Sequence, residues 1–249
     1  MDYGQKVYMN KILTIAMGVV KELFRRKDIY LILAILFVII IYAGSASFGG
    51  ERGFYRYFKE IGISLTYLFS VIIAVSFAAR QVPQETESKS IYTVLSRPVS
   101  RLEFLAGKFL GVWLISAASF TLFYFVFIIS LALKGDTSTP AILLLQGYLL
   151  QILLLSFLAS LAVLLSLFLS TAANIGITLL IYFGNNWFGA TMPGSAFLPH
   201  LEFFDIKEKI VHANEIVPGW VVLFLILYTA CYCLLFLMLA NLAFKKRNL

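Results

Sequence analysis

Five runs without an Asp, Glu, Lys or Arg set the limits on what this chain can fold into. They lie between Asp28 and Glu51, Glu60 and Arg80, Lys108 and Lys134, Asp136 and Glu202, and Glu215 and Lys245. A helix needs about 20 apolar residues to cross the hydrocarbon layer of a bilayer. Each run supplies that length, and the fourth, 65 residues long, supplies it twice. Turn-forming residues cut the fourth run at Ser170-Thr171-Ala172-Ala173-Asn174 and again at Gly184-Asn185-Asn186. The reading is therefore six membrane spans, near 29–48, 61–79, 105–133, 141–169, 174–190 and 217–243. The composition agrees: 61% of the 249 residues are hydrophobic, 13% are charged, and the mean hydropathy is +0.90. Soluble domains carry about 25% charged residues. Long continuous runs favour helices over a β-barrel, whose strands alternate in short segments. The expected fold class is an all-α polytopic membrane protein, a single transmembrane domain over residues 1–249.

Basic residues orient the spans. Lys6, Lys11, Lys21, Arg25, Arg26 and Lys27 precede the first; Arg80, Lys89, Arg97, Arg101 and Lys108 follow the second; Lys245-Lys246-Arg247 follow the sixth. All three groups fall on one side of a six-span layout. The basic side is expected to be cytoplasmic, with both termini there and the protein in the cell (inner or plasma) membrane. The net charge of +7 is thereby accounted for without nucleic acid. No cleavable signal peptide is read at the N-terminus.

Residues 11–27 read as an amphipathic helix. Ile12, Ile15, Ala16, Val19, Val20, Leu23 and Phe24 recur at spacings of three and four, with Lys11, Thr14, Gly18, Lys21, Glu22 and Arg25 opposite. Such a helix rests at the headgroups. It either anchors the first span or braces the cytoplasmic end of the bundle against a partner.

The loop of residues 80–104 encodes more order than a tether needs. Pro83 suits the first turn of a short helix. Glu85 and Glu87 would then sit at its positive end and Arg97 at its negative end. Ile91, Val94 and Leu95 share a face, and Pro98 ends the helix. Ser100-Arg101-Leu102-Glu103 is a capping box ahead of the third span.

Glu85-x-Glu87, then Ile91-Tyr92-Thr93-Val94-Leu95-Ser96-Arg97-Pro98-Val99-Ser100-Arg101, then Glu103-Phe104-Leu105-x-Gly107-Lys108, resembles the intracellular loop of type-2 permease subunits of ATP-binding-cassette exporters. The likeness is continuous over about 28 residues, and the six-span layout with an interfacial N-terminal helix agrees with it. In that family the loop holds a coupling helix that docks on a separate ATPase subunit, and two permeases work with two ATPases. The resemblance implies that Glu85 and Glu87 face basic groups of the ATPase. It implies that Ile91, Tyr92 and Leu95 supply the buried contact, with Arg97 completing the coupling set, and that Gly107 permits close packing at the base of the third span. It implies a second permease, as a homodimer or heterodimer, and ATP with Mg on the partner rather than on this chain. The class exports lipids, polysaccharides, peptides, drugs or ions, so the substrate stays open.

Other motifs set further expectations. No phosphate-cradling G-x-x-x-x-G-K-[ST] occurs, so the chain is not expected to hydrolyse ATP or to be an enzyme. Apart from Lys108 at the mouth of the third span, no Asp, Glu, Lys, Arg or His lies within the spans, which weighs against an ion-driven carrier. His200 and His212 fall in the outer region, and no metal or catalytic role is assigned to them. Gln146 and Gln151 would be costly facing lipid and are expected to face other helices. With Asn185 and Asn186 they are also the candidate lining of a translocation path. Residues 191–216 read as a re-entrant segment or one or two short helices, capping the bundle or gating its exit. Cys231 and Cys233 read as free thiols. A stand-alone carrier or channel, or a membrane scaffold for a cytoplasmic complex, are the competing functions.

Overall fold

The structure is a computed structural model, and it describes residues 3–25, 50–87, 100–133, 139–188, 199–212 and 215–246, with positions 34, 35, 38 and 39 between the first two. The described residues are helical and contain no strand. Among the described residues the α-helices are, in order, α1 (Tyr3–Phe24), α2 (Gly50–Glu87), α3 (Arg101–Leu133), α4 (Ala141–Leu165), α5 (Thr171–Phe188), α6 (Lys207–His212) and α7 (Gly219–Lys246); a 3-10 turn at Leu201–Phe204 precedes α6. The expected first span, 29–48, lies outside the described residues except at four positions.

Among the described residues, four helices are long and apolar enough to cross a membrane: Arg56–Gln84, Arg101–Leu133, Ala141–Leu165 and Gly219–Phe244. α5, with 18 residues, three Asn and two Gly, is not among them. α2, α3 and α4 pack on one another and form the centre. α1 lies on α3, α5 on α2 and α4, and α7 on α4 and α3. Burial follows that order: 67% of the apolar window of α4 is buried inside the protein against 11% of that of α7. A helix that is apolar on every side and mostly uncovered is solvated by lipid or by another subunit.

Local chemistry sets several helix ends. Ser100 Oγ accepts from the Glu103 backbone N–H at 3.2 Å, and Glu103 Oε2 accepts from the Ser100 N–H at 2.6 Å, so the capping box forms as read. Pro140 precedes α4, and its carbonyl accepts from Leu143 N. α4 ends at Leu165, four residues before the expected end, in turns whose first N–H reaches Ala162 O. Asn174 Nδ2 donates back to the same Ala162 carbonyl at 2.8 Å, so α4 and α5 share one hinge-like joint.

Two expected boundaries move. The second span runs far past 61–79: α2 occupies Gly50–Glu87, so Arg52, Arg56 and Lys59 are helical and not loop, and the helix continues through Pro83. Gly184-Asn185-Asn186 makes no turn, because α5 runs on to Phe188. Where described, the segment expected on the outer side holds a 3-10 turn and a short helix.

Between the helices the core is aromatic. Phe120 lies 5.3 Å from Tyr124 and 5.6 Å from Tyr148, with Tyr67 at 5.9 Å. Each of these tyrosine hydroxyls has a partner: Tyr67 donates to Gly147 O, Tyr124 to Leu144 O, and Tyr148 is hydrogen-bonded to Thr121 Oγ1. A buried hydroxyl without a partner would be costly in this setting.

Candidate coupling region

The base of α3 is where four helices meet. Small residues bring α1 in. A Cβ on Gly107 would lie 2.8 Å from Ile15, and one on Gly111 would lie 2.6 Å from Val19 and 2.8 Å from the Ala16 carbonyl. No other residue fits at either site, and the spacing of four is the small-xxx-small pattern that lets helix backbones approach closely. Ile15 pairs with Gly107 and Val19 with Gly111, so the helices run in the same direction across the contact. The apolar stripe expected on α1 is the face that docks: Ala16, Val19 and Leu23 are buried, and Ile12, Ile15 and Val20 half-buried. Thr14, Gly18, Lys21 and Arg25 are exposed.

α2 joins through polar contacts. Lys108 is buried, and its ammonium donates to Gln81 Oε1 at 3.2 Å and lies 5.7 Å from the Phe104 ring centre. One turn on, Gln84 Nε2 donates to Glu22 Oε1 of α1 at 3.2 Å. α7 joins last. Arg101 Nη1 donates to the Phe244 carbonyl at 2.7 Å and stands 5.5 Å from the Phe244 ring centre, while Phe104 stacks on that ring at 6.1 Å. Glu103, also buried, uses one oxygen in the capping box and has no hydrogen bond to the other.

The stretch expected to dock on a partner begins at the end of α2. Pro83 does not start a helix of its own; it sits inside α2, and Glu85 and Glu87 fall in the last turn of that helix. The expected dipole argument is therefore reversed: the two acidic residues stand at the negative end of α2, which has no basic residue in its last turn. Ile91, Tyr92, Leu95 and Arg97 lie outside the described residues. The segment from 88 to 99 thus leaves one clamped helix end and returns to another, Ser100 being the first residue of the capping box.

Three of the polar residues expected along a translocation path, Gln146, Gln151 and Asn185, bond to neighbouring segments. Gln146 and Gln151 face other helices, as expected. Gln146 makes a paired contact with the backbone of residue 217: its Nε2 donates to Val217 O at 2.7 Å and its Oε1 accepts from Val217 N at 3.1 Å. Gln151 Nε2 donates to Ser70 Oγ at 2.9 Å, and Ser70 donates to Tyr67 O. Asn185 makes the same kind of double contact as Gln146, donating to Pro199 O and accepting from Leu201 N. The Asn186 side chain lies outside the described residues. Gln146 and Asn185 thus use both ends of their amides to fix segments that lead into α7 and the 3-10 turn. Cys231 is exposed and Cys233 buried against Ser156 and Ser160, both free thiols.

No group of three or more metal-ligating side chains occurs among the described residues. The helices and their uncovered apolar faces define an all-α membrane protein with several spanning helices. Within that class the chain belongs to the family described as Protein of unknown function (DUF2705), whose model matches residues 31–249. A comparison with curated proteins finds no match.

Proposed function

We propose that this chain is the non-catalytic transmembrane subunit of an ATP-driven exporter of the type-2 ATP-binding-cassette class. In this reading it has six spans and both termini on the cytoplasmic side. A pair of such subunits works with two separate ATPase subunits that carry the ATP and Mg. The stretch 85–97 docks on the ATPase, and closure of the ATPases pulls on the ends of α2 and α3 together.

The observation that carries this reading is the construction of the two helix ends that flank the stretch. Gln81 and Lys108 link them, and the capping box fixes the start of α3. α1 and α7 brace the same point. A load applied between residues 88 and 99 then reaches stiff helices rather than a slack loop. The placement of Glu85 and Glu87 adds support. Acidic groups at a helix C-terminus are unfavourable by about 0.3–1 kcal/mol each, so their presence there is accounted for by a basic partner.

That placement also makes the test sharp. Glu85→Lys with Glu87→Lys puts favourable charge on the end of α2, so the isolated chain is expected to keep or slightly raise its Tm. Co-purification with any ATPase encoded beside this chain, and stimulation of that ATPase's turnover in liposomes, are expected to be lost. Unchanged assembly and turnover would refute the docking assignment. Transport by the chain alone under an ion gradient, without nucleotide, would favour a stand-alone carrier.

A further inference from the structure

At the end of the bundle away from the coupling region, α6 and the start of α2 border an open cleft of about 460 Å³, lined by Glu60 and Ser64 of α2 and by Asp205, Lys207, Glu208, Lys209, Val211 and His212. The volume is within the usual range of small-ligand sites, about 300–1,000 Å³. The lining is unlike the usual one, since all but Val211 carry charged or polar side chains.

The wall is held in place. Ile210 is fully buried, and its Cδ1 would lie 2.6 Å from a Cβ on Gly147, so α6 is pinned where only glycine leaves room. Ile206 and Val211 are buried beside it. Asp205 accepts from Lys207 N at 3.1 Å and pairs with the Lys207 ammonium at 2.8 Å. Arg56 and His212 are in contact at 3.3 Å. These pairs leave two carboxylates, Glu60 and Glu208, and one ammonium, Lys209, with no ion pair among the described residues.

The level of the cleft narrows the ligand. Trp220 opens α7 with 73% exposure and Phe203 is half exposed on the 3-10 turn. Exposed aromatic side chains at a span's end sit at the headgroup level. Glu60 and Ser64 lie in the first turns of the spanning part of α2, at the same end as Val217.

We propose that this cleft binds a phosphoethanolamine-type group, a primary ammonium joined to a phosphate. Glu60 and Glu208 take the ammonium, and Lys209 with Ser64 takes the phosphate. A primary ammonium has three N–H donors for two carboxylates; a quaternary one has none. The group comes either from a phospholipid headgroup in the outer leaflet or from a soluble zwitterion. The site goes beyond the exporter reading, and its test needs no ATPase, so the two readings fail separately.

The full chain in phosphatidylcholine nanodiscs is titrated with O-phosphoethanolamine and with phosphocholine by calorimetry. In parallel, nanodiscs containing phosphatidylethanolamine are used to measure lipid retention by native mass spectrometry. Saturable binding of phosphoethanolamine, at least tenfold tighter than phosphocholine, identifies the soluble zwitterion. Selective retention of phosphatidylethanolamine identifies the headgroup. Either result is expected to weaken at least tenfold in Glu60→Gln with Glu208→Gln, whose Tm stays that of the parent. Absence of selective binding in both arms, or undiminished binding in the folded double variant, would overturn the proposal; Lys209→Gln gives the same decision for the phosphate side.

Discussion

Gly111 and Gly176 are both helical glycines, yet they predict opposite outcomes. A side chain on Gly111 would meet the backbone of α1 at Ala16. Gly111→Val must push α1 off α3, which overpacking puts at about 1–3 kcal/mol; a lower Tm in detergent and faster proteolysis of α1 are expected. Nothing lies within 4 Å of a Cβ on Gly176. Gly176→Ala is expected to leave Tm unchanged or raise it, since alanine is the better helix former. Gln146→Leu removes both bonds to residue 217, and hydrogen bonds between membrane helices average about 0.6 kcal/mol with a maximum near 1.7. The expected loss is one to two times that, read as an earlier thermal midpoint.

The helices show where the sequence was readable. The Ser100–Glu103 box could be found because both partners of a capping box lie within four residues. The docking face of α1 could be found because burial recurs at 3.6 residues. Gly107 is legible in the sequence from the loop it closes; Gly111, four residues on, is legible only as the second small residue of a small-xxx-small pair. Pro83 misled for a physical reason: proline fits the first turn of a helix far better than its interior, so the local preference pointed to a new helix where α2 continues. The pairing of Gln146 with residue 217, and of the core tyrosines with carbonyls of α4, depends on tertiary contacts that no local pattern announces. The proline leaves a consequence at this scale. Pro83 has no N–H for the carbonyl four residues back, so the end of α2 is held by one bond fewer. Pro83→Ala is expected to slow amide exchange across 80–87; unchanged exchange would show that the ladder there is not weakened.

Taken as a whole molecule, the chain has two ends of different character. One end gathers Gln81, Lys108, Arg101 and the close of α7; the other gathers Arg56, Glu60 and α6. If α2 spans the bilayer, exposed positions near its two ends face opposite sides. In a background with Cys231→Ala, a cysteine placed at exposed Tyr57 is expected to react with an impermeant maleimide from one side of sealed vesicles, and one at exposed Ser100 only from the other. Reaction of both from the same side would contradict the spanning assignment of α2.

The clasp between Arg101 and Phe244 joins residues 143 apart in the chain. During synthesis, Arg101 and the ring of Phe104 therefore wait for their partner until the ribosome has passed residue 244. Until then the foot of α3 lacks one of its braces, so any surface that depends on its final shape matures only after α7 is made. In the exporter reading proposed above, docking of an ATPase on residues 85–97 would then follow the synthesis of α7.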